Sequence, residues 1–591
     1  MFTNQEDMSP DRIGGLLEAA ETAIRAVPPA FPLEATVAVN PFLGQSGEDL
    51  ATASARLARV AGVSLTRPRG EQAAAIAAGR ITDEDLAAAL ANRHAPSSPR
   101  DPAQLKAEAA RRPDAPRALP TVADLAAEAS GLDWPAVIDK TVGLWAAGHF
   151  DRGQALWSPA PGQRAYAAWQ SWAGRDLTPE IAGLAGFCRH VASAPDTPER
   201  AILRASERLG ITSAAAETAF HRVLMDLGGW AQHGRWLLWQ AEMDGGTDPT
   251  SGDLLALRLV WEEALLARYP DIAERWRRTV AAHEPPAAPS ADQITDAILQ
   301  EAAERAHQRR LAATLATAPA AADEAPEMQA AFCIDVRSEV FRRALETQGE
   351  GIETIGFAGF FGLAIAHTAH GSDVVEARLP ALLAPGLSTT SHAPEPDERA
   401  ARIRARAARA WGRFRQAAVA SFAFVEAAGP LYGWKLLKDA LGLGAAASPA
   451  DPPPQVAGGL SVEEKADLGA TVLRAMSLTR RFGRVVLLLG HGARVTNNPH
   501  ESAYHCGACG GYPGDVSARL LARLLNDPET RAGLADRGIE MPGETLFVAG
   551  NHDTTTDHVT LFTEDAPMGR AGDIDRARDR LRAAGRLART E

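Results

Sequence analysis

Cysteine, lysine and long apolar runs are what this chain has least of. Only four cysteines stand among 591 residues. That is too few for a disulfide framework at this length, so they read as free thiols or metal ligands. Lysine occurs only at Lys106, Lys140, Lys435, Lys438 and Lys465, and the remaining basic charge is arginine. Positive charge is not in excess either: the formal net charge is -13, and no nucleic-acid module is recognisable, so nucleic acid is not an expected partner. No window offers the roughly 20 uninterrupted apolar residues that span a bilayer. The best candidate, Ala417 to Ala446, is broken by Glu426, Gly429, Pro430, Lys435, Lys438 and Asp439, so any membrane association is expected to be peripheral. The start, Met1 to Ile13, is polar and acidic and lacks the apolar core of a secretory signal, which points to the cytosol.

Apolar residues are plentiful, at 46%, enough to bury a large core or several. Three proline-rich stretches, His94 to Pro120, His283 to Pro289 and Ser448 to Pro454, read as linkers or surface loops. From about Pro120 to Arg310, Trp, Leu and Ala recur at three- and four-residue spacings, as in Trp230 to Trp239, and predict packed helices. The expected layout is an N-terminal segment over 1–120, part of which (about 35–42, Ala35 to Phe42) joins the core sheet. A mainly helical region over 121–320 follows, then an α/β core over 321–591 with a helical insertion at about 395–480.

Beyond residue 325 the period changes. Ala330 to Val336 alternates, so Ala331, Cys333, Asp335 and Arg337 are expected on one side of a strand, with Phe332, Ile334 and Val336 on the other. Val340, Phe341, Ala344 and Leu345 then form one helical stripe, a strand turning directly into a helix. Val485 to Gly492 is an apolar run ending in Gly490-His491-Gly492, as in a strand buried on both faces. Thr545 to Gly550 is a third such run, expected to stop before Asn551-His552-Asp553. Ligands bind at the carboxyl ends of strands in open α/β sheets, so the Cys333 and His491 segments are expected at one rim.

Zinc takes thiolate, imidazole and carboxylate ligands at about 2.0 to 2.3 Å. Cys333, Asp335, His491 and Cys506 supply such a set. If Arg337 draws Asp335 away by a bidentate pair, a water can take the fourth position, where zinc lowers its pKa towards roughly 7 and makes hydroxide available to attack an electrophile such as carbon dioxide. Which thiol of Cys506-Gly507-Ala508-Cys509 binds stays open between the two; Cys506 is preferred, with Cys509 a packed thiol and His500 and His505 in reserve. Gly356 to Gly362, with Phe357, Phe360 and Phe361, is either a packed turn or an apolar wall. Asn551 to His558 is either a helix-capping loop or a site for a second metal or an anion. Arg399, Arg402, Arg406, Arg409 and Arg413 line one helix face, either solvated and paired to Asp397 and Glu398 or able to dock an acidic partner or anionic lipid.

Cys333-x-Asp335-x-Arg337 resembles the zinc and dyad motif of β-class carbonic anhydrases. Those enzymes hold the later ligands as His-x-x-Cys, whereas His491 and Cys506 here are fifteen positions apart. A closer resemblance, over nearly the whole chain, is to the DabA family of probable inorganic carbon transporter subunits. It rests on Val37 to Phe42, Phe332 to Glu339, Gly356 to Gly362, and Gly490 through Asn497-Asn498-Pro499 to Gly511. The resemblance implies an α/β fold with a β-carbonic-anhydrase-like core sheet and large, mainly helical N-terminal and inserted regions. It also implies zinc on Cys333, Asp335, His491 and Cys506, and a peripheral place on the cytoplasmic side of the cell inner membrane beside an antiporter-like subunit, DabB. The expected activity is carbonic-anhydrase-like conversion of carbon dioxide to bicarbonate within that complex, with Asp335 and Arg337 as the catalytic pair; homo-oligomers are also allowed. A soluble zinc hydrolase and a non-catalytic zinc scaffold are the alternatives.

Overall fold

A computed structural model describes residues 8–31, 42–92, 95–151, 160–316, 324–381, 383–416, 421–441, 451–495, 498, 500–565 and 569–591. The strand expected over 35–42 falls, but for Phe42, outside the described residues. The chain divides into two compact units, one mainly Val39–Ala320 and the other mainly Ala321–Glu591.

The first unit is helical. Its central helix, Thr250–Arg268, is buried on all sides over most of its length, the pattern of a core helix. Trp134, Trp169, Trp261, Tyr166, Phe187 and Phe220 fill the surrounding core. Buried Glu262 on that helix accepts the Val122 backbone N–H at 2.6 Å, at the start of helix Val122–Ser130, which carries its own Thr121/Asp124 capping box. The Pro-rich stretch from His94 to Pro120 is not only loop. Pro102 sits in the first turn of helix Pro102–Ala109, capped by Asp101, because a helix start tolerates a missing N–H.

The second unit is α/β and carries two sheets. Its strands are β1 (Met328–Cys333), β2 (Ile352–Phe357), β3 (Ile365–Thr368), β4 (Val375–Arg378), β5 (Leu387–Thr390), β6 (Gln455–Val456), β7 (Val485–Gly492), β8 (Leu546–Asp553) and β9 (His558–Leu561). The main sheet has the order β2-β1-β7-β8-β9, parallel except for β9. Helices pack on both faces. Phe341, Leu345, Ile574 and Leu581 from helices Val336–Glu346 and Ala571–Ala588 lie with Phe332, Leu487, Leu489 and Val548. Leu473 and Leu521, from helices Val462–Ala475 and Asp515–Asn526, lie with Ala331, Leu488 and Ala549 on the other face. β7 is buried at every position, which is why its sequence reads as an unbroken apolar run.

Two strand ends differ from the sequence expectation. β1 stops at Cys333, and Asp335 is already the N-cap of helix Val336–Glu346, its side chain accepting the Arg337 N–H. The alternation holds within the strand, with Ala331 and Phe332 on opposite faces, but ends at Cys333 and does not reach Asp335 and Arg337, because capping outcompetes strand extension at an aspartate. β8 continues through Asn551, His552 and Asp553, since β9 folds back and pairs with those residues. A second sheet, β4-β3-β5-β6, was not anticipated; its strands are two to four residues long, too short for alternation to register.

Candidate metal centre

The order of the main sheet sets the location. From β1 the chain moves outward to β2, and from β7 outward to β8 on the opposite side, so the boundary between β1 and β7 is a topological switch point. Crevices at such points, outside the carboxyl ends of the strands, are where open α/β sheets bind ligands. Cys333 is the last residue of β1, and His491 is the penultimate residue of β7.

The third component arrives from the loop after β7. A short helix, Glu501–Tyr504, leads into Cys506, whose N–H donates to Tyr512 O at 3.2 Å while its carbonyl accepts Cys509 N–H and Gly511 N–H. His505 pins this loop to the strand end by accepting the Ala493 N–H at 3.2 Å on Nδ1. Arg337 Nη1 adds a bond to Tyr504 O at 2.9 Å. Beneath this, the Gly490 and Gly514 backbones cross so closely that a Cβ on Gly490 would lie 2.4 Å from the Gly514 carbonyl.

The sulfurs of Cys333 and Cys506 and a ring nitrogen of His491 lie within 4.8 Å of one another, and all three residues are buried. The two sulfurs are 3.6 Å apart. Two thiolates on a tetrahedral zinc, each bonded at about 2.3 Å, stand roughly 3.8 Å apart, whereas disulfide sulfurs are bonded at about 2.05 Å. His491 Nδ1 is buried with no hydrogen-bond partner, so the imidazole retains bonding capacity that such a site would use. The residues present therefore fit a soft divalent cation with sulfur and nitrogen ligands.

Without a cation these thiols are poor acids. The Cys333 pKa is pushed upward, first by its contact with Cys506 and then by burial, against the opposing pull of His491. For Cys506 the Cys333 contact pulls down, but the Cys509 contact and burial outweigh it, and the thiol stands well above its ordinary range.

Asp335 sits at the edge of this cluster rather than inside it. Its carboxylate is gripped by Arg337, with Nε on Oδ1 at 2.7 Å and Nη2 on Oδ2 at 2.8 Å. Oδ1 also accepts the Arg337 backbone N–H at 2.9 Å. Oδ2 stands 3.3 Å from His491 Nε2. Burial alone would raise the Asp335 pKa; the Arg337 side-chain and backbone bonds and the nearby His491 overcome it and hold the carboxyl at about 2.

Cys509 is buried beside Cys333 and Cys506 but is not one of the three clustered ligands. His500 and His505 also stand outside that group. In the Asn551–His558 segment, Asp553 accepts from Thr555 and Thr556, and His552 Nε2 meets Asp557 Oδ1 at 3.1 Å, so these side chains are used locally, while Asn551 Oδ1 is buried without a hydrogen-bond partner. Among the described residues, no second group of three ligands accompanies the one above. Asn497 and Pro499 lie outside the described residues.

Gly359 was singled out only as part of a glycine-rich run. A Cβ there would lie 2.6 Å from Cys506 Sγ and 2.8 Å from Cys333 Sγ, so its backbone walls the site against both sulfurs. Phe360 packs beside the cysteines, and Phe361, with φ 49°, turns back into the core. The signal was the spacing Gly356-x-x-Gly359-x-x-Gly362, but spacing alone does not say which glycine faces the thiols.

Fold and site together define an α/β protein with a buried Cys2His centre suited to a metal ion. A family model described as "Probable inorganic carbon transporter subunit DabA" matches residues 20–591, and the chain belongs to that family. Relatives bearing the same name include one from Rhodopseudomonas palustris (strain BisB5), 57% identical over 97% of this chain and 72% of its own. One from Allorhizobium ampelinum is 56% identical, and one from Rhodospirillum centenum is 54% identical, over 97% and 98% of this chain and 72% of their own. No solved structure matches the chain.

Proposed function

We propose that the chain is the zinc-dependent subunit of a complex that accumulates inorganic carbon, converting carbon dioxide to bicarbonate beside a cation-translocating membrane partner of the DabB type. The observation that carries this reading is the Cys333, His491 and Cys506 cluster with an Asp335–Arg337 ion pair at its edge, in a member of a transporter-subunit family. Among the described residues, no helix is long and apolar enough to cross a membrane. The word subunit in the relatives' name supports a separate spanning partner, with this chain peripheral on the cytoplasmic face of the inner membrane. The β-carbonic-anhydrase-like character of the core sheet belongs to this proposal.

Cys333, His491 and Cys506 would hold the zinc, with Asp335 as the fourth ligand in a closed state. When bound, the metal supplies Lewis acidity that brings the deprotonation of a water into the neutral range. Arg337 decides where the Asp335 carboxylate goes. With both oxygens engaged by the guanidinium, Asp335 is drawn to the edge and would leave a bound zinc open to water; with that pair broken, the carboxylate would be free to bind it. Because Asp335 is held at about 2, it acts at neutral pH as an acceptor that orients a water, and a proton leaving the site must go to another group. Cys333 and Cys506 exclude bulk water, and Gly359 and Phe360 narrow the wall beside the sulfurs.

The test is metal analysis with activity on the same preparations. Wild type should carry about one zinc per chain, Cys333→Ala little, and Arg337→Ala should keep its zinc but lose carbon uptake in cells that also carry the membrane partner. Full uptake by Arg337→Ala would remove the gating role, and a zinc-free wild type with full uptake would remove the reading itself.

A further inference from the structure

Helices Glu395–Gln416 and Ser421–Ala440 stand between β5 and β6 of the small sheet, and they are dressed unlike the rest of the molecule. The whole chain is acidic, yet from Arg399 to Lys438 there are nine basic residues and a single acidic one, Glu426. Arg399, Arg402, Arg406, Arg409 and Arg413 recur at alternating three- and four-residue steps, which places them in one row. One of the two expected acidic partners, Glu398, is largely occupied elsewhere. Glu398 is buried and accepts from His370 Nδ1 at 2.7 Å and from the Ala393 and Gly371 N–H groups, rooting the first helix to the small sheet. Of the row only Arg402 comes near a carboxylate, at 3.8 Å from Asp373 and Glu398; among the described residues the other four form no ion pair.

The second helix adds an uncovered apolar ridge. Leu431, Trp434, Leu437 and Leu441 follow one another at helical spacing and are 69%, 68%, 50% and 65% exposed. Ala428 on the same helix is buried, while Val425 and Leu436 are 66% and 71% exposed, so apolar side chains stand uncovered around much of this helix. Trp411 Nε1 donates to Tyr432 Oη at 2.9 Å and ties the two helices together. Lys435 and Lys438 flank the ridge. Arginine and lysine beside tryptophan and leucine on a surface helix is the pattern of a segment that lies in the headgroup layer, where the rings and leucines enter the acyl boundary and the cations meet phosphate.

We propose that this helical pair is a docking surface for an anionic lipid bilayer. Charge complementarity selects that occupant: the arginine row, four of whose five members form no ion pair among the described residues, matches a negatively charged surface, and a protruding Trp–Leu ridge is accommodated by a fluid layer without a preformed groove. The proposal deepens the peripheral-subunit reading above, but its test needs neither zinc nor carbon uptake, so the two fail separately.

The experiment is flotation of the full chain with vesicles of phosphatidylcholine alone or with added phosphatidylglycerol, at low and high salt. The chain should float with the anionic vesicles, weakly or not at all with neutral ones, and less at high salt. Leu431→Ser with Trp434→Ser, and separately Arg406→Glu with Arg409→Glu, should each lower the bound fraction about tenfold or more. Trp434→Phe should retain most of it. Circular dichroism and metal content, unchanged in both double variants, separate lost docking from lost folding. No flotation with anionic vesicles, or equal flotation by both double variants, would overturn the proposal. So would membrane association that appears only with a membrane partner and ignores lipid charge, which would assign the ridge to a protein.

Discussion

At the residue scale the site turns on one missing methyl group. A Cβ at Gly359 would sit 2.6 and 2.8 Å from the two sulfurs, inside van der Waals contact, so Gly359→Ala must push Cys333 and Cys506 apart or away. Zinc affinity measured by chelator competition should fall by roughly tenfold or more while the helical content is retained. The thiols make a second prediction. Both pKa values are raised without metal, so a binding cation must displace two protons. Affinity should weaken on acidification by on the order of 100-fold per pH unit below those pKa values, with proton release visible in calorimetry across buffers. Asp335 behaves oppositely. Its carboxyl is held at about 2, below the ordinary 3.8, so its contribution to stability is complete above the ordinary value and is lost only as pH falls towards 2. Asp335→Asn should therefore lower stability between pH 5 and 8 and show little further loss as pH falls towards 2, because asparagine still caps helix Val336–Glu346 but gives up the charged pairing with Arg337; Asp335→Ala should cost about 1 kcal/mol more in urea unfolding, for the lost cap. The ligand types were legible in the sequence because thiol, imidazole and carboxylate are rare together. The place of Asp335 outside the three-ligand cluster was not, since it depends on whether a carboxylate meets a cation or a guanidinium first.

At the element scale, β7 was readable to the residue, from Val485 to Gly492, because burial on both faces leaves no polar interruption. β1 was read too long, because an aspartate in an alternating run looks like a strand residue until its cap bond is seen. The stripe Val340, Phe341, Ala344 and Leu345 faces the sheet as its spacing implied. What spacing could not supply is the crossing of the loop before helix Asp515–Asn526 over the end of β7, where Gly490 and Gly514 meet. A Cβ at Gly490 would be 2.4 Å from backbone atoms of Gly514, and backbone cannot rotate aside. Gly490→Ala should cost about 1 to 3 kcal/mol of unfolding free energy and loosen His491, lowering metal content together with the melting temperature. An unchanged melting temperature would show that the crossing is not tight.

At the scale of the whole molecule, the α/β class of the second unit was recoverable from the change of period after residue 325, and the helical first unit from Trp, Leu and Ala spacing. The second small sheet was not, because short strands carry too few residues to alternate. Membership of the DabA family spans both units, over residues 20–591. The cysteine and histidine cluster is proposed to drive inorganic carbon accumulation. Carbon-13 bicarbonate accumulation in cells carrying this chain and its membrane partner, with Cys333 intact or replaced by alanine, tests it most directly. Accumulation above the equilibrium level is expected with the wild type and none with Cys333→Ala, while the two proteins still copurify. Undiminished accumulation by Cys333→Ala would contradict it.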